Sequence, residues 1–196
     1  MASFLVIYGT GEGQTQKVAE SIASALAERG HYAEAVDAEE WPDDRSAADF
    51  DAVIVGASIH AGKHQSAVTE FVERERDGLS ASPSAFFQLS LSSAAGDDGG
   101  REKAAGYVDA FLEETDWHPD RIGLFGGALR YSKYGFLKRL LIKQIARRSG
   151  MDADTSRDYE YTDWGEVDAF ASDFAAFVEG RLGIVPPTVD GYEDRE

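Results

Sequence analysis

Apolar and polar residues alternate along this chain in two periods, and the switches between them outline a fold. Residues 3–8 form an unbroken apolar run, read as a buried strand. Residues 15–29 follow with helical spacing, placing Val18, Ile22, Ala25 and Leu26 on one face, and Gly30 stops the helix. Tyr32 to Val36 reads as a weaker strand. Residues 38–50 are acidic and irregular, with Trp41 as an anchor. Ala52 to Gly56 is a short, fully apolar strand, and residues 64–77 form a helix buried through Val68, Phe71 and Val72. Ser84 to Leu91 is a fourth strand. Residues 101–115 are a helix with Tyr107, Val108, Phe111 and Leu112 inward, and Arg121 to Gly126 is a fifth strand. The last helix is the clearest. Asp163 and Glu166 form a capping box, and Val167, Phe170, Phe174, Phe177 and Val178 make a core stripe. Residues 183–196, with two prolines and five charges in 184–196, read as a disordered acidic tail behind a single domain, 1–182.

Short apolar strands alternating with helices predict an α/β fold: a doubly wound, five-stranded parallel sheet in order 2-1-3-4-5, with helices on both faces. In such sheets ligands bind beyond the carboxyl ends of the strands, at the switch point. That brings together the loops at 9–15, 56–63 and 90–100.

The first of these carries phosphate chemistry. In Gly-Thr-Gly-Glu-Gly-Gln-Thr, strand gives way to helix through residues that offer backbone N–H groups, two hydroxyls and the positive end of a helix dipole. A Walker loop is excluded, because Gln14 stands where its second Gly belongs and no Lys follows. Gln14 also breaks the dinucleotide fingerprint. What remains is a Thr-x-x-x-x-Thr loop, Thr10 to Thr15, without Lys or Arg. An anion bound there is held by N–H and O–H donors, which suits the phosphate of flavin mononucleotide (FMN) better than a magnesium–triphosphate. The second loop, Gly-Ala-Ser-Ile-His-Ala-Gly at 56–62, has small residues that let a flat ring approach the backbone.

Charge changes the picture next. The 196 residues hold 36 acidic and 19 basic side chains, a net charge of −17. Nucleic acid is thereby an unsuited partner. Such a surface is expected of a halophilic protein working in concentrated salt, where screening removes self-repulsion. There is no cysteine, so thiol chemistry, iron–sulfur clusters and disulfides are excluded. No leader or membrane-length apolar run is visible, and a cytoplasmic location is expected, peripheral at most on the inner face of the membrane. His60 and His64 have zinc-helix spacing, but Gly62 lies between them and no carboxylate completes a site, so no metal is expected. His31 falls at a strand start and His118 in a loop.

Cations are segregated. Residues 127–150 hold Arg130, Lys133, Lys138, Arg139, Lys143, Arg147 and Arg148 and no acid. Read as an inserted basic helical segment near 129–149, this stretch turns Phe136, Leu137, Leu140, Leu141 and Ile145 to one side. That is the composition of an interfacial helix on anionic lipid. The same cations would also serve to satisfy the acidic body, or to bind an anionic substrate through Arg130 and Lys133.

Several of these segments, taken in order, resemble a known family. The general resemblance is to flavodoxins. A closer one runs through Glu12 to Thr15, Gly-Ala-Ser-Ile at 56–59, Pro-Ser-Ala-Phe at 83–86, Trp117 to Arg121, Gly-Ala-Leu-Arg-Tyr at 127–131 and Tyr-Thr-Asp-Trp at 161–164. It is similar to the flavodoxin-type, menaquinone-dependent protoporphyrinogen oxidases across residues 3–180. The resemblance implies an FMN enzyme of heme biosynthesis that oxidises protoporphyrinogen to protoporphyrin and passes electrons to a membrane quinone. It implies a phosphate site at Thr10, Gly11, Glu12, Gly13, Gln14 and Thr15. Ser58, Ile59, His60, Ala61 and Gly62 would border the flavin ring, and Leu89, Ser90, Leu91 and Ser92 its other side. Substrate or membrane contact falls to Arg130, Tyr131, Lys133, Tyr134, Lys138, Arg139 and Lys143. No side chain is assigned as catalytic. Two departures stand out: His60 replaces the family's usual Arg, and the loop at 90–100, with Asp97 and Asp98, is acidic where the family is basic. That loop has no ring to stack on the flavin, whose face is left open to a reaction partner or covered by Tyr131 or Tyr134. The alternative function is a flavodoxin-like electron carrier docking on proteins; a flavin-free interaction module is a third class.

Overall fold

The computed structural model describes residues 1–94, 98–129 and 158–184. Five parallel strands form one sheet: β1 (Ser3–Tyr8), β2 (Tyr32–Asp37), β3 (Ala52–Ser58), β4 (Ser84–Ser90) and β5 (Arg121–Gly126). Their order is β2-β1-β3-β4-β5, the order expected from the sequence. Helices α1 (Gln14–Glu28), α2 (Ser66–Ala81), α3 (Leu91–Ala94), α4 (Asp98–Thr115) and α5 (Trp164–Leu182) supply the layers. A two-stranded antiparallel pair, β6 (Ala128–Leu129) with β7 (Tyr159–Glu160), was not foreseen.

Side chains alternate across a strand, so each apolar run feeds two cores. Phe4 and Val6 face one way, joining Ile54, Phe87 and Phe125 against Val18 and Ile22 of α1 and Phe174 and Val178 of α5. Leu5 and Ile7 face the other, joining Val53, Val55 and Phe86 against Val68 and Phe71 of α2 and Val108 and Phe111 of α4. Each fully buried Leu, Ile or Phe contributes about 1.5–3 kcal/mol of transfer free energy. Trp41 anchors the 38–50 connection as anticipated, edge-on to Phe71 at 5.6 Å.

Differences from the sequence reading are local. Leu91 begins α3 instead of ending β4, and α4 starts at Asp98, so most of what read as the 90–100 loop is helical. Gly and Asp mimic loop composition, but Asp at the start of a helix opposes the dipole's positive end favourably. Tyr107 is only partly buried. Asp163 caps α5 by accepting from Gly165 N and Glu166 N. Gly183 closes that helix at φ 65°, and Ile184 packs back on the core. The tail at 185–196 and the basic segment from Arg130 through Lys143 to Arg148 lie outside the described residues.

Candidate functional site

The β1–α1 turn is built around Gly13, whose φ of 88° puts it in the left-handed region at the N-cap of α1. Its N–H donates to Thr10 Oγ1 at 2.8 Å, which closes the loop on itself. Gln14 and Thr15 open the helix and are buried. The first helical N–H groups have no partner one turn back, so they and the dipole converge beyond the strand end. Among the described residues, Thr15 Oγ1 is buried there without a hydrogen-bond partner. A buried, unsatisfied hydroxyl costs roughly 1–3 kcal/mol. Beside a helix N-terminus, it is chemically suited to an anionic oxygen, and the Thr-x-x-x-x-Thr cradle therefore fits a phosphoester.

The second loop docks on the first. Gly9 N donates to Gly56 O at 2.9 Å. A side chain at Gly11 would meet His60 Nε2 at 2.7 Å, so the exposed His60 ring lies over that glycine. Residues 60–63 form a tight turn, His60 N to Lys63 O at 2.9 Å and Lys63 N to His60 O at 3.1 Å. Its central residues both have positive φ, 50° at Ala61 and 82° at Gly62. An alanine there carries about 1 kcal/mol of strain, held by its surroundings. One holder was missed by sequence reasoning. Gln65 donates through Nε2 to Ser58 Oγ at 2.7 Å and accepts from Ser58 N at 3.2 Å, stapling both ends of the loop.

The third segment completes the rim. Ser90 Oγ pairs with Ser93 Oγ at 2.8 Å, and Ser90 O accepts from Gly127 N at 3.0 Å. Ile59 N donates to Leu89 O at 3.0 Å, while the Leu89 side chain belongs to the core. Ser92 lies in α3 with Leu91. Thus Thr10–Thr15, Ser58–Gly62 and Leu89–Ser92 do converge at one end of the sheet. Tyr131, Lys133, Tyr134, Lys138, Arg139, Lys143 and Arg130 lie outside the described residues.

A further contact joins the two discriminating motifs. Tyr161 N donates to Gly127 O at 3.0 Å, and Thr162 Oγ1 donates to Gly126 O at 2.8 Å. Gln14 Nε2 in turn donates to Thr162 Oγ1 at 2.9 Å. No pattern of spacing signals a partnership between residues 148 positions apart.

Behind the second loop, α2 and α4 part around a cavity of about 530 Å³. Glu70, Glu73 and Glu114 line it, with Tyr107, His64 and Phe111. Gln88 Nε2 donates to Ala104 O, which leaves its Oε1 to accept from His64 Nε2 at 2.8 Å and assigns the ring proton to Nε2. Burial lowers the His64 pKa from its ordinary 6.5, opposed by the Gln88 bond and by Glu114.

Residues 5–156 match the flavodoxin domain family. The chain belongs to that family. Over 176 residues it is 35% identical to protoporphyrinogen IX dehydrogenase (quinone) of Escherichia coli K12, covering 87% of this chain and 93% of that protein. Its counterpart in Leishmania major is 36% identical over 174 residues, 88% of this chain and 74% of that protein. Among solved structures, a flavodoxin from the domain Archaea matches with a TM-score of 0.51 at 16% identity, over 90% of this chain and 99% of that one. A short-chain flavodoxin associated with a bacterial microcompartment gives 0.53 at 14%, over 91% and 99%. At such identity these two neighbours speak for the fold alone. The order of strands and the helices on both faces agree with them.

Proposed function

We propose that this protein is an FMN-dependent protoporphyrinogen dehydrogenase that delivers electrons to a quinone. The observation that carries the reading is the 35% identity to the E. coli enzyme across 93% of that enzyme's length. The cradle around the unpartnered Thr15 hydroxyl supports the cofactor part independently. When bound, FMN supplies the redox chemistry, accepting reducing equivalents from one partner and releasing them to another.

The residues of this chain do the holding. Thr10, Gly11, Glu12, Gly13, Gln14 and Thr15 would take the phosphate through backbone N–H groups and the Thr15 hydroxyl. Ser58 to Gly62 would border the ring, with the strained Ala61–Gly62 turn offering main-chain groups at its edge. Leu89 to Ser92 would close the far side, mainly through backbone. We assign no acid or base side chain to the reaction.

The cations of residues 127–150 support a peripheral contact with anionic lipid, where a quinone is reached. Among the described residues no helix is long and apolar enough to cross a membrane. Glu substitutions at Arg139 and Lys143 should abolish co-sedimentation with anionic liposomes; unchanged sedimentation removes the lipid reading. The acidic surface likewise supports stability in concentrated salt.

The deciding experiment is anaerobic oxidation of protoporphyrinogen with a menaquinone analogue. Turnover is expected, together with a flavin absorption spectrum in the purified protein. A yellow protein that reduces partner proteins but leaves the porphyrinogen untouched would favour the second reading, an electron carrier. The carboxylates at the cavity mouth favour that reading, since they offer a basic partner a docking charge.

A further inference from the structure

We propose that Thr162 is a positioning residue for the phosphate site, acting through Gln14. The inference rests on the flavin reading above and adds a residue that lies outside every loop assigned to the cofactor.

Three segments meet at this hydroxyl. Thr162 has one proton to give, and Gly126 O at the end of β5 takes it at 2.8 Å. The oxygen is then left as an acceptor, and the Gln14 amide fills it at 2.9 Å. The hydroxyl thereby fixes which end of the Gln14 amide faces it. Gln14 is 5% exposed and stands at the first position of α1, immediately before Thr15. Its side chain is a tether that sets the rotation of the first helical turn. That rotation decides where Thr15 Oγ1 and the N–H groups of that turn point.

The limb carrying Thr162 is itself seated. Tyr161 N bonds Gly127 O, and Tyr159 and Glu160 pair with Leu129 and Ala128. Gly126 is what permits this approach, because any side chain there would collide with the Tyr161 carbonyl. Lys17 of α1 reaches Glu160 at 3.5 Å from the same side. The chain of contacts runs from the end of β5, through Thr162, into the turn that cradles the anion.

Such a tether acts on the phosphate and not on the ring. Apo-protein is titrated with FMN and, separately, with riboflavin, following quenching of flavin fluorescence. Thr162→Val keeps the shape and removes the acceptor. It should weaken FMN about tenfold, the scale of one hydrogen bond's loss, while riboflavin affinity stays at the wild-type value. Thr162→Ser should restore FMN binding. Equal FMN affinity in the valine variant and wild type overturns the role. Equal losses for FMN and riboflavin overturn it too, since they indicate a general structural defect. Should T162V fail to fold, Gln14→Met carries the same test from the donor's end, with the same FMN-selective loss expected and the same outcomes overturning the role. Wild-type protein that binds neither flavin overturns the cofactor reading, and this role with it.

Discussion

The two ends of the sheet treat polar groups in opposite ways. At the amino end, Glu179 of α5 is 4% exposed and fully engaged: Arg29 Nε and Nη2 donate to its two oxygens at 2.7 Å each, and His31 Nε2 lies 3.0 Å from Oε1. His31 Nδ1 accepts from Ala2 N at 3.2 Å, so the ring proton sits on Nε2 and points at the carboxylate. The start of β1, the end of α1 and α5 are thus locked together. At the carboxyl end, Thr15 keeps a buried hydroxyl with no partner among the described residues, and Ala61 holds a left-handed backbone. The comparison teaches where free energy has been committed. Satisfied charges at one end stabilise the fold, and unsatisfied or strained groups at the other stand ready for a ligand.

The largest effect should come from breaking the satisfied end. Glu179→Ala leaves Arg29 and His31 without their acceptor and should cost about 3 kcal/mol in denaturant unfolding, with FMN affinity of the folded protein unchanged. The arginine bond foremost lowers the Glu179 pKa from 4.5, against the effect of burial. Its contribution is therefore complete above the unfolded carboxyl's pKa and is lost as pH falls through the folded value. The acid limb of the stability curve should flatten in the variant.

Thr15→Val tests the other end. It should weaken FMN by about 10–100-fold, the worth of a hydrogen bond to a charged group, while thermal stability in the absence of flavin holds or rises. A variant that loses stability but not affinity would reverse the comparison.

A smaller effect belongs to His64, between the two ends. Burial depresses its pKa below 6.5, so the unfolded state takes up its proton first as the solution is acidified. Stability is full above pH 6.5 and declines below it, towards the folded pKa. His64→Gln should remove that portion of the decline, read by urea unfolding at a series of pH values. The smallest is Ala61→Gly. Relief of the left-handed strain, offset by glycine's greater unfolded-state entropy, should stabilise the protein by about 0.5 kcal/mol.

Strand order was legible because every sheet strand except β2 is a short apolar run, and because parallel crossovers leave few topologies. The phosphate turn was legible because its chemistry is local: strand, glycines, threonines, helix. Three features were hidden for physical reasons. Ala61 gives no hint of positive φ, since the conformation is imposed by Gln65 and the His60–Lys63 turn. The 90–100 segment reads as a loop by composition, yet helix geometry tolerates Asp98, Gly99 and Gly100 in a first turn. The Gln14–Thr162 bond spans 148 positions and exists only because Gly126 lets two segments approach.

The pairing of Ala128 with Glu160 and of Leu129 with Tyr159 sets β6 and β7 against each other although they lie far apart in the chain. The two sit side by side, running in opposite directions, as the arms of a hairpin do. A two-residue Asn-Gly bend bridges such arms. Joining Leu129 to Tyr159 through such a bend should leave the register of the five central strands as it is.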